Sequence, residues 1–315
     1  MIETIAKVAL PVDEVLEIKK NRIEPEYLSG EEKRISIVTG IHGDELEGQY
    51  VVYELQRRIA AAREHLHGIV DIYPAMNPLG IDSITRGIPA FDLDFNRLFP
   101  GNMDGNMTEY LAARIIEDVK GSDMVLDIHA SNIFLTEIPQ IRINELHKDQ
   151  LLPYAKQCNM DFIWVHGAST VLESTFAYSL NSIGTPVLVV EMGVGMRISQ
   201  DYGNQMVDGI FSLMKSMGMW SGETRLPRKP IISTDWQDVS YLNASTGGLF
   251  IPRVSHWQVL KAGELIGEIV DPLQGVVLDQ VKAPVNGVLF TLRDYPVVDE
   301  GSLLGRMLPE EVCNR

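Results

Sequence analysis

Two histidines and one glutamate have the residue types and the spacing of a metal site. His42 and Glu45 lie three residues apart in the run at residues 40–45, and His129 ends an apolar run further along the chain. Two imidazoles and one carboxylate form a zinc ligand set that leaves a fourth position open for water. Because such open sites usually support hydrolysis, we expect one Zn²⁺ per chain and a hydrolase. The alternative is that both histidines are ordinary hydrogen-bonded side chains at strand ends.

The elements predicted around these residues place them at strand ends. Residues 34–39 have the pattern of a short buried strand, and apolar residues about four apart after Glu45 indicate an amphipathic helix. Residues 124–128 predict a second strand, which His129 follows. Because open α/β sheets bind ligands beyond their strand ends, these side chains can converge. Asp127, on the same strand face as His129, is a candidate to orient an imidazole.

A zinc hydrolase also needs a base that takes a proton from the metal-bound water. Glu191 is the candidate, because it follows residues 186–190, a continuous apolar run typical of a strand buried on both faces. A carboxylate at the end of such a strand is costly unless it is paired or functional. The other interpretation is that Glu191 simply emerges into solvent.

Donors for a substrate carboxylate or oxyanion are expected in a long loop, residues 76–106. Structureless loops of this length are usually functional. Within it lie Arg86, Asn96 and Arg97, and the planar fork of arginine matches a carboxylate bidentately. These arginines could instead be surface residues paired with neighbouring aspartates. His166, after another strand-like run, could line the same pocket.

Composition and charge exclude several functional classes. A net charge of −16 argues against nucleic acid and anionic membrane surfaces as partners. Two distant cysteines make a disulfide framework improbable. The sequence shows no signal peptide and no membrane-spanning run, so we expect a cytoplasmic protein acting on a small molecule. The oligomeric state stays open, a homo-oligomer included.

The order of predicted elements indicates two regions. Strands and helices alternate over residues 1–222, which is typical of an α/β domain with a mostly parallel sheet flanked by helices. Residues 223–315 contain short β-like runs separated by glycines, and predict a small all-β domain. We expect the first region to be catalytic.

Five motifs in order resemble the succinylglutamate desuccinylase/aspartoacylase family, a branch of the zinc carboxypeptidase superfamily. The resemblance covers roughly residues 34–220 and rests on residues 40–45, Asn77-Pro78, Thr85-Arg86 with 94–97, 127–129 and 190–193. It implies a zinc carboxypeptidase-like fold.

The resemblance also implies a role for each candidate residue. His42, Glu45 and His129 would bind zinc, and Glu191 would act as general base and then as proton donor. Arg86 would polarise the scissile carbonyl and steady the oxyanion. Asn96 and Arg97 would hold the substrate carboxylate.

The reaction implied is removal of the acyl group from a small N-acyl amino acid. The same residues would serve a metallocarboxypeptidase that cleaves a C-terminal residue from a small peptide, and this is the alternative. A binding module on a degenerate hydrolase fold would require a missing ligand or a missing Glu191, and all are present.

The sequence departs from the family pattern near the substrate. The insert at residues 87–95 is longer than aspartoacylase-like members imply, and Asn181 stands where they carry an additional substrate-binding arginine. Loss of that cation weakens the case for a second substrate carboxylate and favours a neutral or basic amino acid side chain. Arg142 or Arg197 could substitute for it.

The C-terminal region resembles the barrel-sandwich hairpins of biotinyl and lipoyl domains, in residues 263–267 and 283–288. It lacks their lysine attachment turn, so no swinging cofactor is expected. The hypothesis is that residues 223–315 cap the active site and limit it to small substrates.

Overall fold

The computed structural model describes residues 1–89, 91–167 and 173–314, without the side chain of Trp236. The strands are β1 (Ile2–Ala9), β2 (Val15–Ile23), β3 (Arg34–Thr39), β4 (Ile69–Tyr73), β5 (Met124–Ala130), β6 (Leu135–Asn144), β7 (Phe162–His166), β8 (Val187–Gly193), β9 (Ile231–Ser233), β10 (Ser240–Asn243), β11 (Gly248–Pro252), β12 (Gln258–Leu260), β13 (Leu265–Asp271), β14 (Val276–Lys282), β15 (Gly287–Arg293), β16 (Val297–Val298) and β17 (Leu303–Pro309). The α-helices are α1 (Glu47–Ala61), α2 (Pro78–Ser83), α3 (Met107–Val119), α4 (Lys148–Ala155), α5 (Phe176–Ser182), α6 (Gln200–Ser216) and α7 (Glu310–Cys313).

Four adjacent parallel strands, in the order β4, β3, β5 and β8, form the centre of a mixed sheet. On one side the antiparallel hairpin of β1 and β2 extends the sheet. On the other side β6 pairs antiparallel with β8, and β7 and β9 follow in parallel. The predicted α/β architecture with a mostly parallel centre is confirmed.

The two faces of β5 determine where the predicted ligands lie. Leu126 and Ile128 pack into one core with α1 and α6, whereas Val125 packs into a second core with α3 and α5. Because successive strand residues point to opposite faces, Asp127 and His129 share the face of Val125. The polar side chains therefore lie between the sheet and α5, at the carboxyl end of the strand.

The C-terminal strands continue the central sheet, which the sequence did not predict. β15 pairs antiparallel with β6. β17 and β12 pair with β15, and β10 pairs with β17. β11, β13, β14 and β16 form a second, four-stranded antiparallel sheet. The all-β character of this region is as expected. An apolar cluster joins it to the rest of the chain, with Phe162 and Trp164 packed against Phe290 and Leu308.

The long loop predicted at residues 76–106 contains a short helix. Asn77 caps the start of α2 by accepting a hydrogen bond from the Gly80 amide, and a proline follows it at the first helical position. Both residues are ordinary signals for the start of a helix. A helix of only six residues is nevertheless easy to overlook in the sequence. Ala90, also within this loop, lies outside the described residues.

Two further expectations concern the whole chain. Among the described residues, no helix is both long enough and apolar enough to cross a bilayer. Cys158 and Cys313 are both free thiols, as expected from their separation in the sequence.

Candidate metal centre and active site

The three predicted metal ligands meet at the carboxyl ends of β3 and β5. The donor atoms of His42, Glu45 and His129 all lie within 4.8 Å of one another, and all three side chains are buried. Glu45 Oε1 lies 2.7 Å from Nδ1 of His42, and Oε2 lies 2.9 Å from Nδ1 of His129. Both imidazoles therefore turn Nδ1 toward one carboxylate. This donor set could hold a divalent cation with a position left over.

A tight turn between β3 and α1 presents His42 and Glu45. A Cβ on Gly43 would lie 2.0 Å from the backbone carbon of Gly80, so only glycine lets this turn pack against α2. The Gly43 amide also donates to the carbonyl of Arg86 over 3.1 Å. The same turn thus places two ligands and fixes the segment that carries the predicted arginine.

Each imidazole has a second carboxylate on its far nitrogen. Nε2 of His129 lies 3.1 Å from Asp127 Oδ1, and Nε2 of His42 lies 3.1 Å from Asp94 Oδ1. The Asp94 hydrogen bond can fix the ring of His42 and direct its Nδ1 toward a metal. Among the described residues the Asp127 oxygens have no hydrogen-bond partner, so Asp127 acts on His129 through its charge. The orienting role suggested for Asp127 stays a prediction. Asp94 was considered from sequence only as a partner for arginines.

The electrostatics of the cluster favour positive charge. Burial disfavours the imidazolium form of His129, yet Asp127 and Glu45 raise its pKa well above the ordinary value. Burial likewise opposes ionisation of Glu45, yet His42 and His129 hold its pKa below the ordinary range. A site that stabilises cationic imidazoles in this way is one where a metal cation can take over the same carboxylates.

Asp127→Asn is expected to weaken zinc binding by about 10- to 100-fold, because the amide no longer fixes the His129 ring as a carboxylate does. Competition with a chelating dye measures this affinity. Asp279→Asn, on the outer C-terminal sheet, is the matched control. Equal zinc affinity in wild type and Asp127→Asn would show that Asp127 does not support metal binding by His129.

Glu191 lies beside His129, since the two residues are directly opposed on β8 and β5. Its carboxylate is 16% exposed and lines the same cavity, and Arg142 Nη1 lies 3.4 Å from its Oε1. Burial raises the pKa of Glu191 to about 7, although Arg142 and His129 act in the opposite direction. A carboxyl group that titrates near neutrality is suited to proton transfer. Glu191 thus faces the cavity rather than bulk solvent.

The three donors predicted in the long loop also border this cavity, with different partners. Arg86 Nη1 donates to Glu45 Oε1 over 2.8 Å, which places its guanidinium next to the ligand cluster. Arg97 is exposed and donates to the carbonyl of Asn96. The side-chain oxygen of Asn96 accepts from the Phe176 amide at 2.9 Å, where α5 begins. This contact uses the acceptor of Asn96 and leaves its NH₂ group to donate to a carboxylate.

The cavity has a volume of about 580 Å³ and combines residues from both halves of the chain. Besides the residues above, its walls include Ser131, Asn132, Phe134, Leu135, Glu137, Asn144, His147, His166, Thr175, Ala177, Tyr178, Val187, Val189 and Arg306. Arg306 comes from β17, so the C-terminal region forms part of the wall. His166, predicted as a weaker candidate, lies on this wall.

Asn181, predicted to stand where the family carries an additional arginine, is a structural amide. Asn181 donates to the Val187 carbonyl over 3.2 Å and accepts from the Val187 amide over 2.9 Å. Of the two arginines suggested as substitutes, Arg142 borders the cavity. Arg197 is 71% exposed and faces Asp294 instead. Sequence reasoning missed Glu137 and Arg306 on the cavity wall, because long-range strand pairing brings them there.

Comparison with known proteins supports the resemblance. Residues 31–217, more than half of the chain, match the family model of the succinylglutamate desuccinylase/aspartoacylase catalytic domain. The N-alpha-acetyl-L-2,4-diaminobutyric acid deacetylase of Halomonas elongata is 28% identical over 284 residues, which cover 87% of this chain and 82% of that protein.

Solved structures of low sequence identity share the fold. A succinylglutamate desuccinylase/aspartoacylase from Rhodobacter sphaeroides superposes with a TM-score of 0.80 at 22% identity, covering 96% of this chain and 93% of that one. The product-bound ectoine utilization protein EutE (DoeB) from Ruegeria pomeroyi gives 0.80 at 19% identity, covering 96% and 92%. With its motifs, its fold and the family match in agreement, the chain belongs to the succinylglutamate desuccinylase/aspartoacylase family.

Proposed function

We propose that this protein is a zinc-dependent amide hydrolase that removes the acyl group from a small N-acyl amino acid. The observation that carries the proposal is the placement of Glu191 and Arg86 in one cavity with the buried His42, Glu45 and His129. A base, an oxyanion donor and a metal ligand set in one cavity are the parts that amide hydrolysis requires. The deacetylase relative from Halomonas elongata supports the same chemistry.

His42, Glu45 and His129 would hold one zinc ion per chain. When bound, the ion would polarise the substrate carbonyl and lower the pKa of the attacking water. Both histidines already turn Nδ1 toward Glu45, and the carboxylates of Asp94 and Asp127 lie 3.1 Å from their Nε2 atoms. Little rearrangement of the protein is then needed on metal binding.

The remaining residues would each take a different role in amide cleavage. Glu191 takes a proton from the attacking water and later delivers it to the leaving nitrogen. Arg86, beside Glu45, donates to the oxygen that becomes negatively charged. Arg97 and the NH₂ group of Asn96 would hold the carboxylate of the amino acid. The products are a carboxylate from the acyl group and a free amino acid.

The pH dependence of kcat/KM should show one acid limb from Glu191. Only the ionised carboxylate accepts a proton, so kcat/KM falls about tenfold per pH unit below the pKa of Glu191 and levels off above it. Burial raises that pKa to about 7. A bound cation favours the carboxylate, so the limb is expected at or somewhat below this value. Initial rates over a pH series measure the limb, with enzyme stability checked at each pH. A kcat/KM that does not fall at low pH would contradict the role of Glu191.

The groups near the substrate favour an acyl amino acid with a single carboxylate. Asn181 carries no charge, and Arg142 is already engaged by Glu137 and Glu191. No cation among these residues is left for the second carboxylate of a succinyl or aspartyl substrate. We therefore propose a short acyl group and a neutral or basic side chain. The named activity of the Halomonas relative makes Nα-acetyl-L-2,4-diaminobutyrate the first substrate to test.

We also infer that residues 223–315 cap the cavity and restrict it to small substrates. Arg306 on the cavity wall supports this inference. Deleting the region is a poor test, because it would expose Phe162 and Trp164, which pack on Phe290 and Leu308. Point substitutions within the cavity wall test the capping role without exposing these apolar side chains.

Release of free amine from a substrate panel tests the proposed function. With zinc supplied, the panel comprises N-acetyl amino acids, including Nα-acetyl-L-2,4-diaminobutyrate and N-acetylaspartate, together with N-succinylglutamate and N-blocked dipeptides. Turnover of N-acetyl neutral or basic amino acids is expected to dominate. Preference for the dipeptides would support the alternative, a metallocarboxypeptidase, and would contradict the capping role. Preference for N-acetylaspartate or N-succinylglutamate would contradict the inferred selectivity.

A further inference from the structure

A chain of buried and half-buried charged groups connects Glu191 to a strand of the C-terminal region. Arg142 lies between two carboxylates, with Nη1 3.4 Å from Glu191 and Nη2 donating to Glu137 over 2.8 Å. The other oxygen of Glu137 accepts from Arg306 on β17. Arg306, Glu137, Arg142 and Glu191 thus follow one another as alternating cations and anions. Arg306 and Glu137 are not among the residues predicted for the reaction, and Arg142 was predicted only as a possible substitute for the additional arginine.

Glu137 is the centre of this chain because a bulge in β6 turns it inward. Between two paired positions β6 advances by three residues, from Glu137 to Gln140, whereas β8 advances by two, from Gly193 to Glu191. One extra residue reverses the alternation of side chains. Glu137 therefore shares the face of Gln140 and Glu191, and Gln140 donates to it over 2.9 Å. Pro139, which has no amide hydrogen, lies within the bulge.

Strand pairing places Arg306 in the same cross-strand row as Glu137, with β15 between them. Thr291 on β15 is aligned with Glu137 on β6 and with Arg306 on β17. The three residues form one row across adjacent strands, and the guanidinium crosses over Thr291 to reach the carboxylate. The arginine is thus supplied by the continuation of the central sheet into the C-terminal region.

The carboxylate of Glu137 is 1% exposed, so its contacts cannot be replaced readily by water. Its Oε2 accepts from Arg142 and Gln140, whereas its Oε1 depends on Arg306 and a long contact of 3.4 Å from Thr291. Removing one partner of a buried ion pair leaves a costly charge. If Arg306 were lost, Oε1 would compete for the guanidinium of Arg142 and draw it from Glu191.

We propose that Glu137 and Arg306 are positioning residues that hold Arg142 against Glu191. The C-terminal region then contributes to the reaction through the orientation of the base as well as by closing the cavity. This inference rests on the proposed role of Glu191. Arg142 touches the base directly, whereas Glu137 and Arg306 act through Arg142.

Steady-state kinetics of Arg306→Met test the proposal, with Nα-acetyl-L-2,4-diaminobutyrate as substrate and zinc supplied. We expect kcat to fall about tenfold or more with KM little changed, because misplacement of a reacting group lowers the rate of the chemical step. Arg306→Lys keeps a cation near Glu137 and should recover part of kcat. Arg253→Met removes an exposed C-terminal arginine paired with Glu268 and is the matched control.

A double-mutant cycle separates positioning from general damage. In the Arg142→Met background, Arg306→Met should cause no further loss of kcat, because the group through which it acts is already absent. Equal losses in both backgrounds would overturn the proposal, as would an unchanged kcat in Arg306→Met.

A crystal structure of Arg306→Met tests the geometry without any activity. The expected result is that Arg142 moves away from Glu191 and toward Oε1 of Glu137. If Arg142 moves but the wild-type enzyme hydrolyses no N-acyl amino acid, the proposed function fails and the positioning stands. If Arg142 keeps its place while wild type is active, the positioning is wrong and the proposed function stands.

Discussion

Glu191→Gln is expected to lower kcat by about two to four orders of magnitude while zinc stays bound, because glutamine cannot accept the proton. Glutamine has nearly the same shape, so the cavity and the three metal ligands should be preserved. Glu191 also lies next to His129 on the neighbouring strand and lines the same cavity. The loss should therefore appear in kcat rather than in metal content.

The measurement combines amine release with zinc content by elemental analysis. Glu268→Gln, a carboxylate that pairs with Arg253 on the outer C-terminal sheet, controls for loss of a charge. Normal turnover in Glu191→Gln would show that another group is the base. Loss of zinc together with activity would show that Glu191 is a ligand rather than the base.

His129→Ala should abolish both zinc binding and hydrolysis. The substitution removes one of the three proposed ligands and leaves the buried carboxylates of Glu45 and Asp127 without their shared imidazole. In wild type, bound zinc at about 100 times its Kd would stabilise the folded state by about 2.7 kcal/mol. The rise in Tm on zinc addition should therefore be present in wild type and absent in the variant.

Differential scanning fluorimetry with and without zinc measures this effect. His67→Ala is the control, because it removes an exposed imidazole that lies 2.9 Å from the Ser221 hydroxyl. The Tm of this variant should rise on zinc addition as that of wild type does. A full zinc response in His129→Ala would place the metal elsewhere in the protein.

The convergence of the three proposed metal ligands could be predicted because local sequence determines their positions. A strand, a glycine turn and a helix carry His42 and Glu45, and a second parallel strand carries His129. Parallel neighbours end at the same edge of a sheet, so the two segments converge without any long-range information beyond strand order. The position of Glu191 follows from the same rule, since β8 lies next to β5.

Other parts of the site depend on features that no local pattern reveals. Asp94 reaches His42 because the loop folds back on the ligand turn. The side-chain oxygen of Asn96 accepts from the Phe176 amide at the start of α5, a contact that the sequence does not reveal. Glu137 faces the cavity only because of a bulge, and Arg306 only because β15 pairs with β6. Each depends on tertiary pairing between segments far apart in sequence.

A zinc titration of metal-free enzyme, following amine release from Nα-acetyl-L-2,4-diaminobutyrate, tests the proposed catalytic metal most directly. We expect no turnover without metal and a linear rise in activity that ends at one zinc per chain. Full activity in the metal-free enzyme would contradict the assignment of His42, Glu45 and His129 as ligands of a catalytic metal. Zinc binding without release of amine from any N-acyl amino acid would contradict the proposed reaction.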